Sequence, residues 1–263
     1  YDIWCGPAPM KPLMRAKLHY DWHWAWDTGN GDLGNQGIHE MDKARWGLGK
    51  PGLPRSVQSI GGRFGYVDDG ETANTQIIVC EYDDAELIFE VRGLATPDLK
   101  GAKVGNIFYG SDGYVVCPNY SSGIAYDKEG TKVAEFKGGG DHFENFVKAV
   151  RARDHKLLNA DILEGHLSSA LCHLGNISYR LGKTMSFEHA EKAFGEDAEA
   201  HDSVKRMLEH LKDNNLALGT TKYRHGPKLA IDPASEKFIG DAKAANDMLF
   251  REYRKGFEVP AKV

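Results

Sequence analysis

The sequence has few cysteines, and none of them are paired in metal-ligand spacing: Cys5, Cys80, Cys117 and Cys172 stand far apart with no Cys-x-x-Cys among them. That excludes a zinc ribbon and a dithiol redox motif and leaves free, buried thiols as the expectation. No apolar stretch approaches the roughly 20 residues that a membrane-spanning helix needs. There is no run of five or six like charges either: 33 basic and 38 acidic residues are dispersed along the chain, for a formal net charge of -5. Without a basic patch, neither nucleic acid nor an anionic membrane is expected as a partner. An initiating methionine and a signal-like apolar core are missing ahead of Tyr1. The chain is therefore expected to continue upstream, and its compartment stays open between cytoplasm and export.

What is present suits an ordinary globular protein. With 263 residues and 41% hydrophobic content, the chain can bury one large core or two small ones. It holds 30 glycines, against roughly 18 for an average chain of this length, which points to many tight turns. Two compositional regimes meet at Gly138-Gly139-Gly140, giving a motif- and sheet-rich part over 1–137 and a helical part with a C-terminal arm over 138–263. In the first, β-branched and aromatic runs at 74–82 and 85–91 flank Asp83-Asp84, a hairpin signal. Runs at 104–109 and 113–117 flank Ser111-Asp112-Gly113, and runs at 124–126 and 132–136 flank Lys128-Glu129-Gly130. A series of antiparallel strands follows. In the second regime, 141–151 reads as an amphipathic helix with Asp141 and Glu144 in capping-box spacing. A core helix is expected over 161–181, closed by Gly182. A charged helix over 198–214, a polar linker through Pro233 and a last helix over 240–254 complete the reading.

The segment Leu18 to Asp27, LHYDWHWAWD, alternates as a strand would, with His19, Asp21 and His23 on one side and Tyr20, Trp22, Trp24 and Trp26 on the other. Indole rings beside short polar groups suit the C–H faces and hydroxyls of sugars, and equally suit a packed core strand. Gly29-x-Gly31-x-x-Gly34 then matches the dinucleotide fingerprint in form only. That fingerprint must follow a buried aliphatic parallel strand, and the preceding segment here is aromatic and charged. The glycines are better read as bringing backbone close to a ligand at a helix start.

That helix, expected over 33–46, places Asn35, His39, Asp42 and Trp46 on one stripe. An imidazole titrates near neutrality, so His39 can exchange a proton with a substrate hydroxyl while Asp42 fixes its tautomer. Two rival readings use the same residues. His19, Asp21, His23, His39 and Asp42 are all metal-ligand types from which a metal-dependent hydrolase could build a site, though none of the spacings is a metal signature. A non-catalytic carbohydrate-binding module could rest on the aromatic segment alone. His166, His173 and Glu164 read as helix-surface or interdomain polar groups, and Asp161 and Glu164 as capping charges at a helix start.

The stretch Gly29-Asn30-Gly31-Asp32-Leu33-Gly34-Asn35-Gln36-Gly37-Ile38-His39-Glu40-Met41-Asp42 resembles the GGG-x-x-x-D-x-G-x-H-x-x-D motif of the glucose-fructose oxidoreductase, inositol dehydrogenase and MocA-like (Gfo/Idh/MocA) family. Tyr1 to Pro9, His142 to Phe146, Ala160 to His166 and Arg251 to Arg254 are similar to the C-terminal domain of a bacterial branch of it. The resemblance implies an α+β fold, an open, largely antiparallel β-sheet with helices packed on one face. It implies a homo-oligomer formed through the other sheet face, and an N-terminal Rossmann domain, absent from this chain, that binds NAD or NADP. It implies oxidation or reduction at a carbinol carbon of a sugar or cyclitol, with His39 at the reacting hydroxyl and Asp42 as the final motif aspartate. The cooperating lysine of the family's E-K-P motif has no counterpart in this sequence. Asn35 replaces the family's usual aspartate; an amide cannot take a proton, so His39 is the expected acid/base and Asn35 a substrate-orienting group. Trp24, Asp27 and Asn30 are expected pocket walls.

Overall fold

The computed structural model describes residues 1–13 and 17–260. Short helices at Asp2–Cys5 (α1) and Leu18–Asp21 (α2), the latter running into a 3-10 turn at Trp22–Trp24, lead to α3 (Gly31–Asn35) and α4 (Gly37–Gly47). Seven strands follow: β1 (Ser56–Gly62), β2 (Thr75–Glu81), β3 (Glu86–Arg92), β4 (Asn106–Gly110), β5 (Gly113–Cys117), β6 (Ser122–Asp127) and β7 (Lys132–Lys137). Then come α5 (His142–Ala152), α6 (Ile162–Arg180), β8 (Lys183–Ser186), α7 (Ala198–Asp213), β9 (Lys222–His225), β10 (Leu229–Asp232), β11 (Lys237–Phe238) and α8 (Lys243–Asp247). The fold is α+β, with two open sheets whose pairings are all antiparallel. Two compact units divide it: Tyr1–Gly37, Leu53–Ala95 and Leu171–Val263 form the first, Ile38–Gly52 and Thr96–Ala170 the second.

In the first unit the sheet runs β11-β10-β1-β2-β3, with β9 on β1 and β8 on β9. The β2–β3 hairpin forms where the sequence signals it, closed by the Tyr82 amide on the Ala85 carbonyl at 2.9 Å. Strand β2, TQIIVC, is buried to its penultimate residue because both of its faces are covered. Ile77 and Val79 join Ile60 and Phe64 of the sheet segment with Val204, Met207 and Leu211 of α7 in one apolar cluster, each such side chain worth about 1.5–3 kcal/mol of burial. On the opposite face, Ile78 meets α6 at Gly175, where an added Cβ would come within 2.9 Å of Ile78 Cγ1. Gln76 on that face donates to Ser59 Oγ at 3.0 Å and Asn176 Oδ1 at 3.4 Å. A strand covered on both sides reads as a continuous apolar run, not an alternating one.

The second unit holds the meander β4-β5-β6-β7. Helix α4 is pinned to it by Asn106 Nδ2, which donates to the Glu40 carbonyl at 2.8 Å, and by Gly47, which leaves room for the Phe108 ring. Helix α5 is capped as its sequence signals, Asp141 Oδ1 accepting from the Glu144 amide at 2.9 Å. Its apolar stripe is not covered: Phe143, Phe146, Val147 and Val150 are exposed and only Ala149 is buried.

Several elements differ from expectation. The aromatic segment 18–27 is not a strand but a helical turn followed by a 3-10 turn. Local bonds close it, with His23 Nδ1 donating to the Tyr20 carbonyl and Thr28 Oγ1 to the Trp22 carbonyl at 2.6 Å. The helix expected over 33–46 begins earlier, at Gly31, and is divided at Gln36, which keeps helical dihedrals. The polar stretch before Pro233 contains β9 and β10. The last helix is confined to Lys243–Asp247, since the chain beyond it runs out as an arm. Arg254 of that arm binds the carbonyls of Asp2 and Gly6 at 2.8 and 2.9 Å and pairs with the Asp2 carboxylate.

Candidate active site

In the first unit the three glycines of the fingerprint-like loop are filled by the protein itself. A Cβ on Gly29 would sit 2.3 Å from His23 Cα, and one on Gly34 would sit 1.9 Å from Asn30 Nδ2. Gly31 has φ of 75°, a left-handed conformation that glycine adopts freely, and a side chain there would meet Thr72 Cβ at 2.7 Å. The glycines therefore bring backbone close to His23, Asn30 and Thr72.

Around this loop the expected wall residues are fixed by specific bonds. Trp24 Nε1 donates to Asp32 Oδ1 at 3.2 Å, and the Trp24 carbonyl accepts from the Glu71 and Thr72 amides at 2.9 and 3.3 Å. Asp27 pairs with Lys11 through its carboxylate and receives Arg251 NH2 on its carbonyl at 2.9 Å. The Asn30 carbonyl accepts from Asn176 Nδ2 at 2.9 Å, so α6 positions this loop from below. Asn35 closes α3 and is half-buried. Trp26 lies against Tyr179 at 6.4 Å and under the Arg180 guanidinium at 4.9 Å. The aromatic segment thus packs and bonds locally and does not present a flat row of rings.

In the second unit, α4 carries His39 exposed, Asp42 half-buried and Trp46 exposed. Asp42 does not fix the His39 ring, as their spacing suggested: Asp42 Oδ1 accepts from Ser168 Oγ at 2.5 Å, and Ser168 Oγ in turn accepts from Arg45 Nε at 2.9 Å. Arg45 is 2% exposed, donates to the Lys50 carbonyl at 2.9 Å and forms an ion pair with Glu164. Glu164, read as a helix-start charge, is the counter-ion of a buried arginine. What stands beside His39 is Tyr120, its ring centroid 5.5 Å from the imidazole at 52°. Lys43, one turn further along α4, holds its ammonium 5.3 Å from the Tyr120 centroid.

Arg45, Ser168, Asn176, Lys43 and Tyr120 were not singled out by sequence. For Lys43 and Arg45 a signal existed in their helical spacing from His39 and Asp42; Ser168, Asn176 and Tyr120 lie more than seventy residues from their partners in the motif, with nothing local to mark them.

The metal-ligand types do not gather. His19 is exposed, and His23 is buried with its ring 4.1 Å from that of Trp24. Among the described residues no group of three or more His, Cys, Asp or Glu side chains could hold a metal ion. The four cysteines are free, with Cys5, Cys80 and Cys172 buried, and burial pushes the Cys172 thiol up to about 12. His155 and Asp161 form a surface pair at 2.6 Å that raises the imidazole and lowers the carboxyl from their ordinary values. His166 is exposed on α6. A cavity of about 280 Å³ in the first unit is lined by Ser56, Gln58, Glu81, Asp197 and Lys228, with none of the motif residues. Among the described residues no helix is long and apolar enough to cross a membrane.

Residues 1–214 match the family model described as oxidoreductase family, C-terminal alpha/beta domain. No curated protein matches. Among solved structures the chain is similar to an oxidoreductase from Klebsiella pneumoniae, at 15% identity over 69% of this chain and 54% of that one, with a TM-score of 0.45. It is similar to the WlbA dehydrogenase from Bordetella pertussis, solved in complex with NADH and UDP-GlcNAcA, at 18% identity over 64% of this chain and 49% of that one, with a TM-score of 0.42. An NADPH-dependent oxidoreductase from Desulfitobacterium hafniense gives 15% identity, 60% and 48% coverage and a TM-score of 0.45. The chain spans about half the length of these structures.

Proposed function

We propose, from the premise that this chain belongs to the Gfo/Idh/MocA oxidoreductase family, that it is the substrate-side part of an NAD(P)-dependent oxidoreductase acting on a carbinol carbon of a sugar or cyclitol. The observation that carries the reading is His39: the motif histidine stands exposed on α4, while Asp42, the motif's final aspartate, is taken up by Ser168. An exposed imidazole can hold or release the proton of a substrate hydroxyl near neutral pH. On this reading His39 takes that proton when the carbinol is oxidised and returns it when the carbonyl is reduced. Asn35 gives and accepts hydrogen bonds without exchanging a proton, so it orients the substrate. Trp24, Asp27 and Asn30 serve as substrate-binding residues, and Asp42, through Ser168 and Arg45, holds the helix that presents His39.

We read the Gly29 loop, whose glycines lie against His23, Thr72 and Asn30, as a packing element and not as the dinucleotide site. We therefore assign NAD or NADP to a nucleotide-binding domain elsewhere in the polypeptide and derive no step through it here. We also assign self-association to an open sheet face, supported by the Tyr109, Tyr114 and Tyr126 row on one face of the β4–β7 meander, in which Tyr109 is exposed. The reading is tested by assaying the full-length polypeptide with NAD and NADP against D-glucose, UDP-N-acetylglucosamine and myo-inositol. Reduction of the cofactor by the wild type and its loss in His39→Ala support the reading; equal turnover by both contradicts it.

A further inference from the structure

We propose that Tyr120 is the substrate-stacking, specificity-determining residue beside His39, held in place by Lys43, and that it recognises the C–H face of a pyranose or cyclitol ring. The proposal rests on the reading of His39 given above. Tyr120 sits on the turn between β5 and β6, 63% exposed, with its ring 5.5 Å from the His39 imidazole. Exposed aromatic rings on turns are ordinarily mobile, but this turn is tied down from three directions. Lys43 Nζ donates to the Asn119 carbonyl at 2.8 Å. Asn119 Oδ1 accepts from the Ser121 amide at 2.9 Å and the Ser121 hydroxyl at 3.2 Å. The Ser121 carbonyl accepts from the Gly138 amide at 2.7 Å. Lys43 also lies over the Tyr120 ring at 5.3 Å, a cation–π contact that favours this placement of the ring.

A ring ordered before its ligand arrives costs little entropy on binding. Its position decides what it can recognise. A ring substrate that brings a hydroxyl to His39 also presents the axial C–H groups of neighbouring carbons, and those pack on an aromatic face. An acyclic polyol offers the same hydroxyl without a rigid C–H face. Lys43 is on this account a positioning residue: it reaches the turn from the helix that carries His39, so the acid/base and the stacking ring keep their separation.

The test uses the full-length oxidoreductase, with D-glucose, UDP-N-acetylglucosamine and myo-inositol as ring substrates and sorbitol as the acyclic control. For Tyr120→Leu, KM for the best ring substrate should rise about three- to tenfold, kcat should change less than KM, and KM for sorbitol should not follow. Tyr120→Phe, which keeps the ring, should recover most of the affinity, and Lys43→Met should raise KM in the same direction by a smaller factor. An unchanged KM in Tyr120→Leu, with His39→Ala inactive, overturns the Tyr120 assignment alone. A loss confined to kcat, or equal for ring and acyclic substrates, marks a structural role and also overturns it. Full turnover by His39→Ala overturns the reading of His39 and this assignment with it.

Discussion

Ser168 donates its hydroxyl proton to Asp42 at 2.5 Å, joining helix α6 to the motif helix α4. The same oxygen accepts from Arg45, which also reaches the Lys50 carbonyl and Glu164. Three acceptors of different kinds are satisfied by one planar guanidinium, a task a point-charge ammonium cannot repeat. Breaking a buried ion pair by removing one partner costs about 3–5 kcal/mol. Arg45→Ala should lower the urea-unfolding free energy by an amount near the bottom of that range, since Glu164 keeps access to water, and Arg45→Lys should recover little of it. Ser168→Ala should cost about 1 kcal/mol.

The glycine loop gives the second prediction. Gly31→Ala and Gly34→Ala should each destabilise the chain, the first by straining a left-handed residue against Thr72 and the second by displacing the Asn30 amide. Neither should alter nucleotide affinity on the proposed assignment of the cofactor to another domain. Calorimetric titration of NAD or NADP into this chain should show no binding tighter than about 1 mM. Saturation at micromolar cofactor would contradict the assignment of the cofactor to another domain.

A pH dependence follows from Glu86. Burial pushes its carboxyl up to about 8, and Asp197, Glu81 and Glu199 add to the effect. Across the window from the ordinary carboxylate value of 4.5 to about 8 the folded chain holds more protons at Glu86 than the unfolded chain does, so stability falls as pH rises. His210 acts in the opposite sense: burial and then Arg92 lower its pKa from the ordinary imidazole value of 6.5, so acidification through that region favours unfolding. Glu81 and Glu90 also oppose it, but below the carboxylate range, because Lys228 and Ser56 for the first and Arg206 and Arg92 for the second outweigh burial and lower their pKa. Subtracting the pH profile of Glu86→Gln from that of the wild type isolates one group. The difference should decline between about pH 5 and pH 8, and a flat difference would contradict the assignment.

Helix α5 offers a further test on this chain alone. Its exposed Phe143, Phe146, Val147 and Val150 form an apolar stripe in water, and such patches bind apolar dyes. Phe143→Glu with Phe146→Glu should reduce dye fluorescence without lowering the melting temperature. Ala149→Asp, which places a charge at the buried position of the same helix, should lower it.

The elements that sequence periodicity revealed are those with a local signal. Helices α5, α6 and α7, the β2–β3 hairpin and the β4–β7 meander all carry their own pattern and their own turns. Strand β1, SVQSIGG, was missed because its buried Ser59 and half-buried Gln58 are satisfied by Ser178, His225 and the Gly226 carbonyl, all more than a hundred residues away. Strands β9 and β10 are four residues each and mostly charged or small at their outer positions, so they look like linker. The aromatic segment misled for a different reason. Its alternation is genuine, but a short-range bond from His23 to Tyr20 and the close approach of Gly29 fold it into helical turns. At the candidate site, the motif placed His39 and Asp42 on one helix; the roles of Arg45, Ser168 and Tyr120 depend on chain crossings that no local spacing records.

The most direct test of the central claim is the pH dependence of kcat/KM for the full-length oxidoreductase, wild type against His39→Gln, with NAD(P) and the best ring substrate. The account predicts that the pH profile of the variant departs from that of the wild type and that about a hundredfold or more of the activity is lost. A His39→Gln enzyme with the wild-type profile and near wild-type activity would contradict it.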